Sequence, residues 1–264
     1  ALPGAGGVEP CVTPLAAEVR SLIESAVKTI DHEPLARPDA AGKPNDETNG
    51  AFVLDVALVE PNEWWVGCHQ QRTRVDRWPG GVPAIELPDH AVSRAYLKMA
   101  EALRWSAVPA AKGELWVELG CAPGGASQAL LDAGMLVLGV DPAEVARAVA
   151  ADERFAHLRG RASDIKRREL TDARWLAADI NAAPDYTLDA VESLVTHADA
   201  HFRGLLLTLK LPDWATGSPE NLDRYAERVR GWGFRDVRMR QLAFNRREFC
   251  LAAMRSRGQR RLRR

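Results

Sequence analysis

The sequence predicts an α/β protein in which a seven-stranded mixed sheet, covered by helices, follows a small N-terminal α+β appendage. From about residue 93, strand-length apolar runs alternate with helix-length segments, the texture of a parallel sheet with helices on both faces. The first of those strands leads straight into a glycine-rich turn. The last two are separated by only about five residues, too few for a helical crossover, so the final strand is predicted to run antiparallel.

Residues 14–30 place Leu15, Val19, Leu22, Ile23, Ala26, Val27 and Ile30 at helical spacing, behind Thr13 as N-cap and with Pro14 in the first turn. Residues 34–49 hold Pro34, Pro38, Pro44, Asn45 and Asn49 and read as a loop. Alternation over Phe52–Val59 and again over Glu63–Cys68 predicts two strands that pair as a hairpin. The appendage covers 1–80, and 81–92, with Gly81, Pro83 and Pro88, is the linker. Within 93–254, strands are predicted at Leu115–Leu119, Leu136–Asp141, His157–Gly160, Trp175–Ile180, Gly204–Lys210, Arg235–Leu242 and Glu248–Met254. Helices are predicted near 93–106, 125–133, 143–151, 188–202 and 218–231.

The 264 residues carry a formal net charge of −1, which at first sight argues against a nucleic-acid partner. The total conceals an asymmetry. Residues 1–92 hold 7 basic and 14 acidic side chains, 93–254 hold 22 of each, and 255–264 hold six arginines and no acid. That last stretch has no apolar pattern and reads as a basic disordered tail. No run approaches a membrane span, the stretch Ala1–Gly7 has neither a basic region nor a long apolar core, and the four cysteines show no C-x-x-C spacing. These readings predict a protein of the reducing cytoplasm with neither a membrane nor a metal among its partners.

Leu115-Trp116-Val117-Glu118-Leu119-Gly120-Cys121-Ala122-Pro123-Gly124-Gly125 is an apolar strand ending in an acid, then a turn that opens a helix. Glycines there let a ligand approach the backbone, and the helix N-terminus offers free N–H groups. The turn matches neither G-x-G-x-x-G nor G-x-x-x-x-G-K-[ST], which disfavours nicotinamide enzymes and phosphate-loop NTPases. About 20 residues further on, Asp141 ends the next strand, where a carboxylate can accept both hydroxyls of a ribose.

With this turn the sequence resembles the S-adenosylmethionine-dependent ribose 2′-O-methyltransferases of the FtsJ-like family, whose D/E-L-G-x-x-P-G-G motif is matched by E-L-G-C-A-P-G-G. The resemblance implies a Rossmann-like class I methyltransferase fold with S-adenosyl-L-methionine as cofactor. It further implies a cofactor site made by Glu118, Gly120, Cys121, Ala122, Pro123, Gly124 and Gly125 around the methionine part, with Asp141 on the ribose. Asp164 falls beside the adenine, although an Asp before a basic run serves equally as a helix cap.

Methylating a ribose hydroxyl requires stabilising a developing alkoxide and removing a proton, work that lysines set among carboxylates can do. The family uses a Lys-Asp-Lys-Glu tetrad, and matching residues stand here in order. Lys98 lies in Ser93-Arg94-Ala95-Tyr96-Leu97-Lys98, Asp179 closes the fourth strand, Lys210 closes Leu205–Leu209, and Glu248 opens the last strand after Asn245-Arg246-Arg247. By this resemblance, Lys210 either lowers the pKa of the 2′-hydroxyl or accepts its proton. Asp179 orients Lys210 and faces the sulfonium, while Lys98 and Glu248 position the ribose.

Lys210-Leu211-Pro212 and Asn245-Arg246-Arg247-Glu248 look more like the RlmM branch of the family, whose substrate is large-subunit ribosomal RNA. The appendage would then be a reduced counterpart of that branch's THUMP-type RNA-binding region, although its acidity suits a packing or partner-binding module equally well. Candidates for phosphate contacts are Arg159, Arg161, Lys166, Arg167, Arg168, Arg235, Arg238, Arg240, Arg246, Arg247 and the tail, with Trp214 as a base-stacking candidate. Two competing readings keep the fold: a methyltransferase of a small-molecule or protein acceptor, and a non-catalytic RNA-binding protein.

Overall fold

The computed structural model describes residues 14–28, 50–72, 78, 81–198, 200–213 and 216–256. The chain divides into two compact units, Ala1–Ile85 and Glu86–Arg264. The loop predicted over 34–49, Trp214 and the tail beyond residue 256 lie outside the described residues, as do the side chains of Arg167 and Arg168.

In the first unit, α1 spans Pro14–Lys28, and β1 (Phe52–Glu60) pairs antiparallel with β2 (Glu63–Gln70). His69 Nδ1 lies 2.7 Å from Asp55 Oδ2 across the hairpin. Trp64 and Trp65 are 48% and 57% exposed, so these two tryptophans are not core residues.

The second unit begins ahead of residue 93. Val92 N donates to Gln128 Oε1 at 2.8 Å and Gln128 Nε2 returns a hydrogen bond to His90 O, which ties the end of the predicted linker into this unit. Its elements are α2 (Ala95–Ser106), β3 (Leu115–Leu119), α3 (Gly125–Asp132), β4 (Leu136–Val140), α4 (Arg147–Ala150), β5 (Phe155–Leu158), α5 (Arg167–Leu170), β6 (Ala173–Ala178), α6 (Pro184–Val195), β7 (Gly204–Lys210), α7 (Pro219–Gly231), β8 (Asp236–Arg240) and β9 (Glu248–Met254). The sheet order is β5-β4-β3-β6-β7-β9-β8, and β9 runs antiparallel to both its neighbours. Successive residues of β3, β6 and β7 are almost all buried, so both faces of these strands are covered, which is why they read as nearly continuous apolar runs rather than alternating ones. At the centre Trp116 and Trp175, paired on β3 and β6, stack with ring centroids 5.5 Å apart, and both are fully buried.

Several boundaries differ from the sequence expectation for identifiable reasons. The chain loops after β4 because Asp141 Oδ1 accepts from Ala143 N at 2.8 Å, which delays α4 to Arg147. Pro184 supplies the first turn of α6, so that helix starts four residues before its predicted position at 188. β5 opens at Phe155, whose buried ring joins the core and whose backbone pairs with Val137. β6 ends at Ala178, which leaves Asp179 just beyond the strand. Arg255 is no part of a free tail: its Nε donates to Phe202 O at 2.7 Å and its guanidinium lies over the Phe234 ring.

Candidate active site

The glycine turn connects β3 to α3 at the carboxyl end of the sheet. Gly120 has φ +76°, and a Cβ there would lie 2.7 Å from the Asp179 carbonyl oxygen. Gly124 has φ +116° and packs against Val149, and a Cβ on Gly125 would lie 2.2 Å from Ser93 Oγ and 2.7 Å from Ser93 O. The glycines are thus required by close approach of the protein's own chain. Ala122 and Pro123 are joined by a cis peptide bond.

Acidic side chains bracket this turn. Asp141 Oδ2 accepts from Ala122 N at 3.1 Å while its Oδ1 takes Ala143 N, so the carboxylate fixes the turn to the end of β4 and keeps unused lone pairs. Glu118 is 1% exposed and accepts from Ser127 Oγ at 2.6 Å. Burial pushes its carboxyl up to about 8, against the Ser127 hydrogen bond and with help from Asp179 and Asp141. Cys121 is buried, and burial drives its thiol well above the ordinary value, so it is an inert part of the wall. Asp164 Oδ2 accepts from Arg161 N at 2.7 Å and caps the short turn Ala162–Asp164, the capping role that the sequence left open.

Lys98, Asp179, Lys210 and Glu248 come together in a closed ring of alternating charge. Lys98 Nζ is 2.8 Å from Glu248 Oε1 and 3.4 Å from Asp179 Oδ2, and Lys210 Nζ is 2.8 Å from Glu248 Oε1 and 3.0 Å from Asp179 Oδ1. Register explains one side of the ring, since Lys210 at the end of β7 pairs directly with Glu248 at the start of antiparallel β9. Asp179 follows β6, its amide bonded to Leu119 O, and α2 brings Lys98 across from the other side. Beneath the ring, a small cavity is lined by Lys98, Glu118, Asp179, Thr208 and Cys250 with alanines from α2, α3 and β6.

The four side chains are between 11% and 21% exposed, where charge pairs are screened weakly and ionisation is strongly coupled. Burial would raise the Glu248 carboxyl, but the ammonium groups of Lys210 and Lys98 overcome it and hold the pKa at about 2. Burial would likewise lower Lys210, and the carboxylates of Asp179 and Glu248 hold it above its ordinary value instead. Lys210 is therefore a cation in this state. It is suited to donate a hydrogen bond to an oxygen that gains negative charge, rather than to accept a proton.

Among the predicted basic contacts, Arg246 and Arg247 are exposed beside Glu248. Arg238 is withdrawn from that role: it donates to Ser106 O at 2.5 Å, lies over the Trp105 ring and is lowered from its usual pKa by burial. Arg159 is engaged with Glu144 and Pro142 O. The sequence reading passed over Ser127, the partner of Glu118, and Glu101, a buried acid on α2. The legible signal for Glu101 was its position three residues after Lys98, on the same helix face. Among the described residues, no group of three His, Cys, Asp or Glu is placed to hold a metal ion, and no helix is long and apolar enough to cross a membrane.

Comparison with known proteins agrees with this architecture. A solved structure from Lactococcus lactis, designated a hemolysin, superposes with a TM-score of 0.50 over 64% of this chain and 90% of that one, at 16% identity, a likeness of fold. The Ribosomal RNA large subunit methyltransferase M of Halorhodospira halophila is 34% identical over 141 residues, 51% of this chain and 40% of that protein. The protein of the same name from Thauera aminoaromatica is 29% identical over 189 residues, 68% of this chain and 50% of that protein. The chain thus matches these relatives over half their length or less. Residues 91–206 match the family model described as FtsJ-like methyltransferase, from the approach to α2 into the start of β7, short of Lys210 and Glu248. That match lies wholly within the second unit of the chain.

Proposed function

We propose that the chain transfers a methyl group from S-adenosyl-L-methionine to a ribose 2′-hydroxyl of large-subunit ribosomal RNA. The observation that carries this is the ring formed by Lys98, Asp179, Lys210 and Glu248 beside the glycine turn. A methyl acceptor with a weakly acidic hydroxyl needs fixed cationic donors at its oxygen, and this ring supplies two lysines whose charges are balanced by two carboxylates. The FtsJ-like match over residues 91–206 and the relatives' name support the RNA substrate.

The residues present fit the cofactor. Asp141, anchored by Ala122 N and Ala143 N, would hold the ribose hydroxyls. The turn from Gly120 to Gly125 and the free amides opening α3 would take the methionine part, with Glu118 and Cys121 as its buried wall and Asp164 toward the adenine. When bound, the cofactor supplies a methyl group on a sulfonium. Lys210 donates a hydrogen bond to the acceptor hydroxyl, lowering its pKa so that its proton passes to water as the oxygen is alkylated. Asp179 orients Lys210 toward that oxygen, and Lys98 and Glu248 hold the ribose in line, where alignment lowers the barrier further. Arg246 and Arg247 stand at the rim for phosphate contacts.

The test is incubation of labelled cofactor with ribosomal RNA, followed by mapping of the methylated positions. Label on a ribose oxygen of large-subunit RNA is the expected result. Label on a base, on protein or on a small molecule overturns the reading.

A further inference from the structure

The loop that leads into β9 is held by a carboxylate on another element. Glu101 on α2 is 2% exposed, and it receives two consecutive backbone amides: Ala243 N on Oε1 at 2.9 Å and Phe244 N on Oε2 at 3.0 Å. Burial raises its pKa against the pull of those two amides and of Arg240. A buried acid on a helix is costly wherever an apolar side chain would fill the space, so its retention calls for a task.

The path of the loop identifies that task. Beyond Phe244, the Arg246 amide donates to Glu248 Oε2 at 3.1 Å, and the Arg247 carbonyl accepts from Leu211 N at 2.7 Å, directly after Lys210. One end of the loop is therefore fixed by Glu101, and the other by Glu248 of the charged ring and by Leu211, the residue after Lys210. α2 thus acts on Glu248 twice, directly through Lys98 Nζ and indirectly through Glu101 and the loop. At its C-terminal end the same helix is tied to β8 by the Arg238 bond to Ser106 O.

We propose that Glu101 is a positioning residue for methyl transfer, which by gripping the amides of Ala243 and Phe244 sets the loop that aims Glu248 at both lysines. It acts through the loop and has no contact with substrate. The inference rests on the function proposed above.

A double-mutant cycle on the full chain tests it, with single-turnover transfer of labelled methyl to ribosomal RNA measured for wild type, Glu101→Gln, Glu248→Gln and the double variant. Cofactor affinity by calorimetry and thermal melting are recorded for each. Gln can accept only one of the two amides, so Glu101→Gln is expected to slow transfer about tenfold with unchanged cofactor affinity. The double variant is expected to match Glu248→Gln within about twofold, because Glu101 has nothing left to position. Glu101→Asp, which keeps the charge on a shorter arm, recovers part of the rate, and it replaces Glu101→Gln in the cycle if that variant fails to fold. Losses that multiply in the double variant overturn the proposal, as does a lowered melting temperature with an unchanged rate. Absence of transfer by the wild type overturns the proposed function, and this proposal with it. The other outcomes leave that function standing.

Discussion

The glycine turn is made by the consecutive residues Gly120 to Gly125, whereas the charged ring draws Lys98, Asp179, Lys210 and Glu248 from four elements, with Lys98 and Glu248 150 positions apart. The two meet where Gly120 packs on the Asp179 backbone. Their ionisable groups are also tuned in opposite senses. Glu118, beneath the turn, has little but a serine hydroxyl to offset its burial and is held up at about 8, whereas Glu248 in the ring faces two ammonium groups and is held down at about 2. Local chain geometry fixes the first site and the pairing of distant strands fixes the second, so each should fail in its own way.

The largest separation is expected from Lys210→Ala, which removes one cation from the ring and leaves the turn intact. Transfer should fall about 10²- to 10³-fold, the usual effect of deleting one donor at a developing oxyanion, with cofactor affinity by calorimetry unchanged. Near-normal turnover would remove Lys210 from the chemistry. Gly120→Ala should erase the distinction instead. Its Cβ would collide with the Asp179 carbonyl in a left-handed conformation, disturbing turn and ring together, so calorimetry and turnover should both worsen. The melting transition should reflect about 1–3 kcal/mol of lost stability, as overpacking usually does.

The pH dependence of stability distinguishes the two acids by sign. Glu118 is raised, so the native state holds a proton that the unfolded chain has released, and stability should fall as pH rises from 4.5 to about 8. Glu248 is lowered, so its contribution is complete above pH 4.5 and should be lost as pH falls toward about 2. Melting curves across pH should show Glu118→Gln flattening the first slope and Glu248→Gln the second. If either variant flattens the slope assigned to the other, the contrast between turn and ring is wrong.

The same contrast explains what was legible in the sequence. The strands with buried faces, β3, β7 and β9, kept their predicted bounds, since their apolar runs have nowhere else to go. The turn was readable because its residues are contiguous, and the four members of the ring were identified only through resemblance, since no local pattern relates Lys98 to Glu248. Glu101 went unread because a Glu on a helix ordinarily faces water, and the amides that justify its burial lie 142 and 143 residues away. Arg238 misled in the opposite direction: a basic side chain in an alternating strand looks like a solvated face, yet it lies over Trp105 and holds the end of α2. The shifted bounds of α4 and α6 followed from an Asp-stabilised loop and a proline, features that set boundaries without changing which elements exist.

β9, slotted between β7 and β8, brings its first residue rather than its last to the end of the sheet where Lys210 stands. A partial opening that released β8 and β9 would leave the Trp116–Trp175 centre in place but face two lysines with Asp179 alone. Such a molecule would keep its helices and most of its sheet, yet by the function proposed above it would have no working chemistry. Turnover is then a readout of whether the final strand has docked, and protection of β9 amides from hydrogen exchange should disappear in step with activity as denaturant rises, before the central strands exchange.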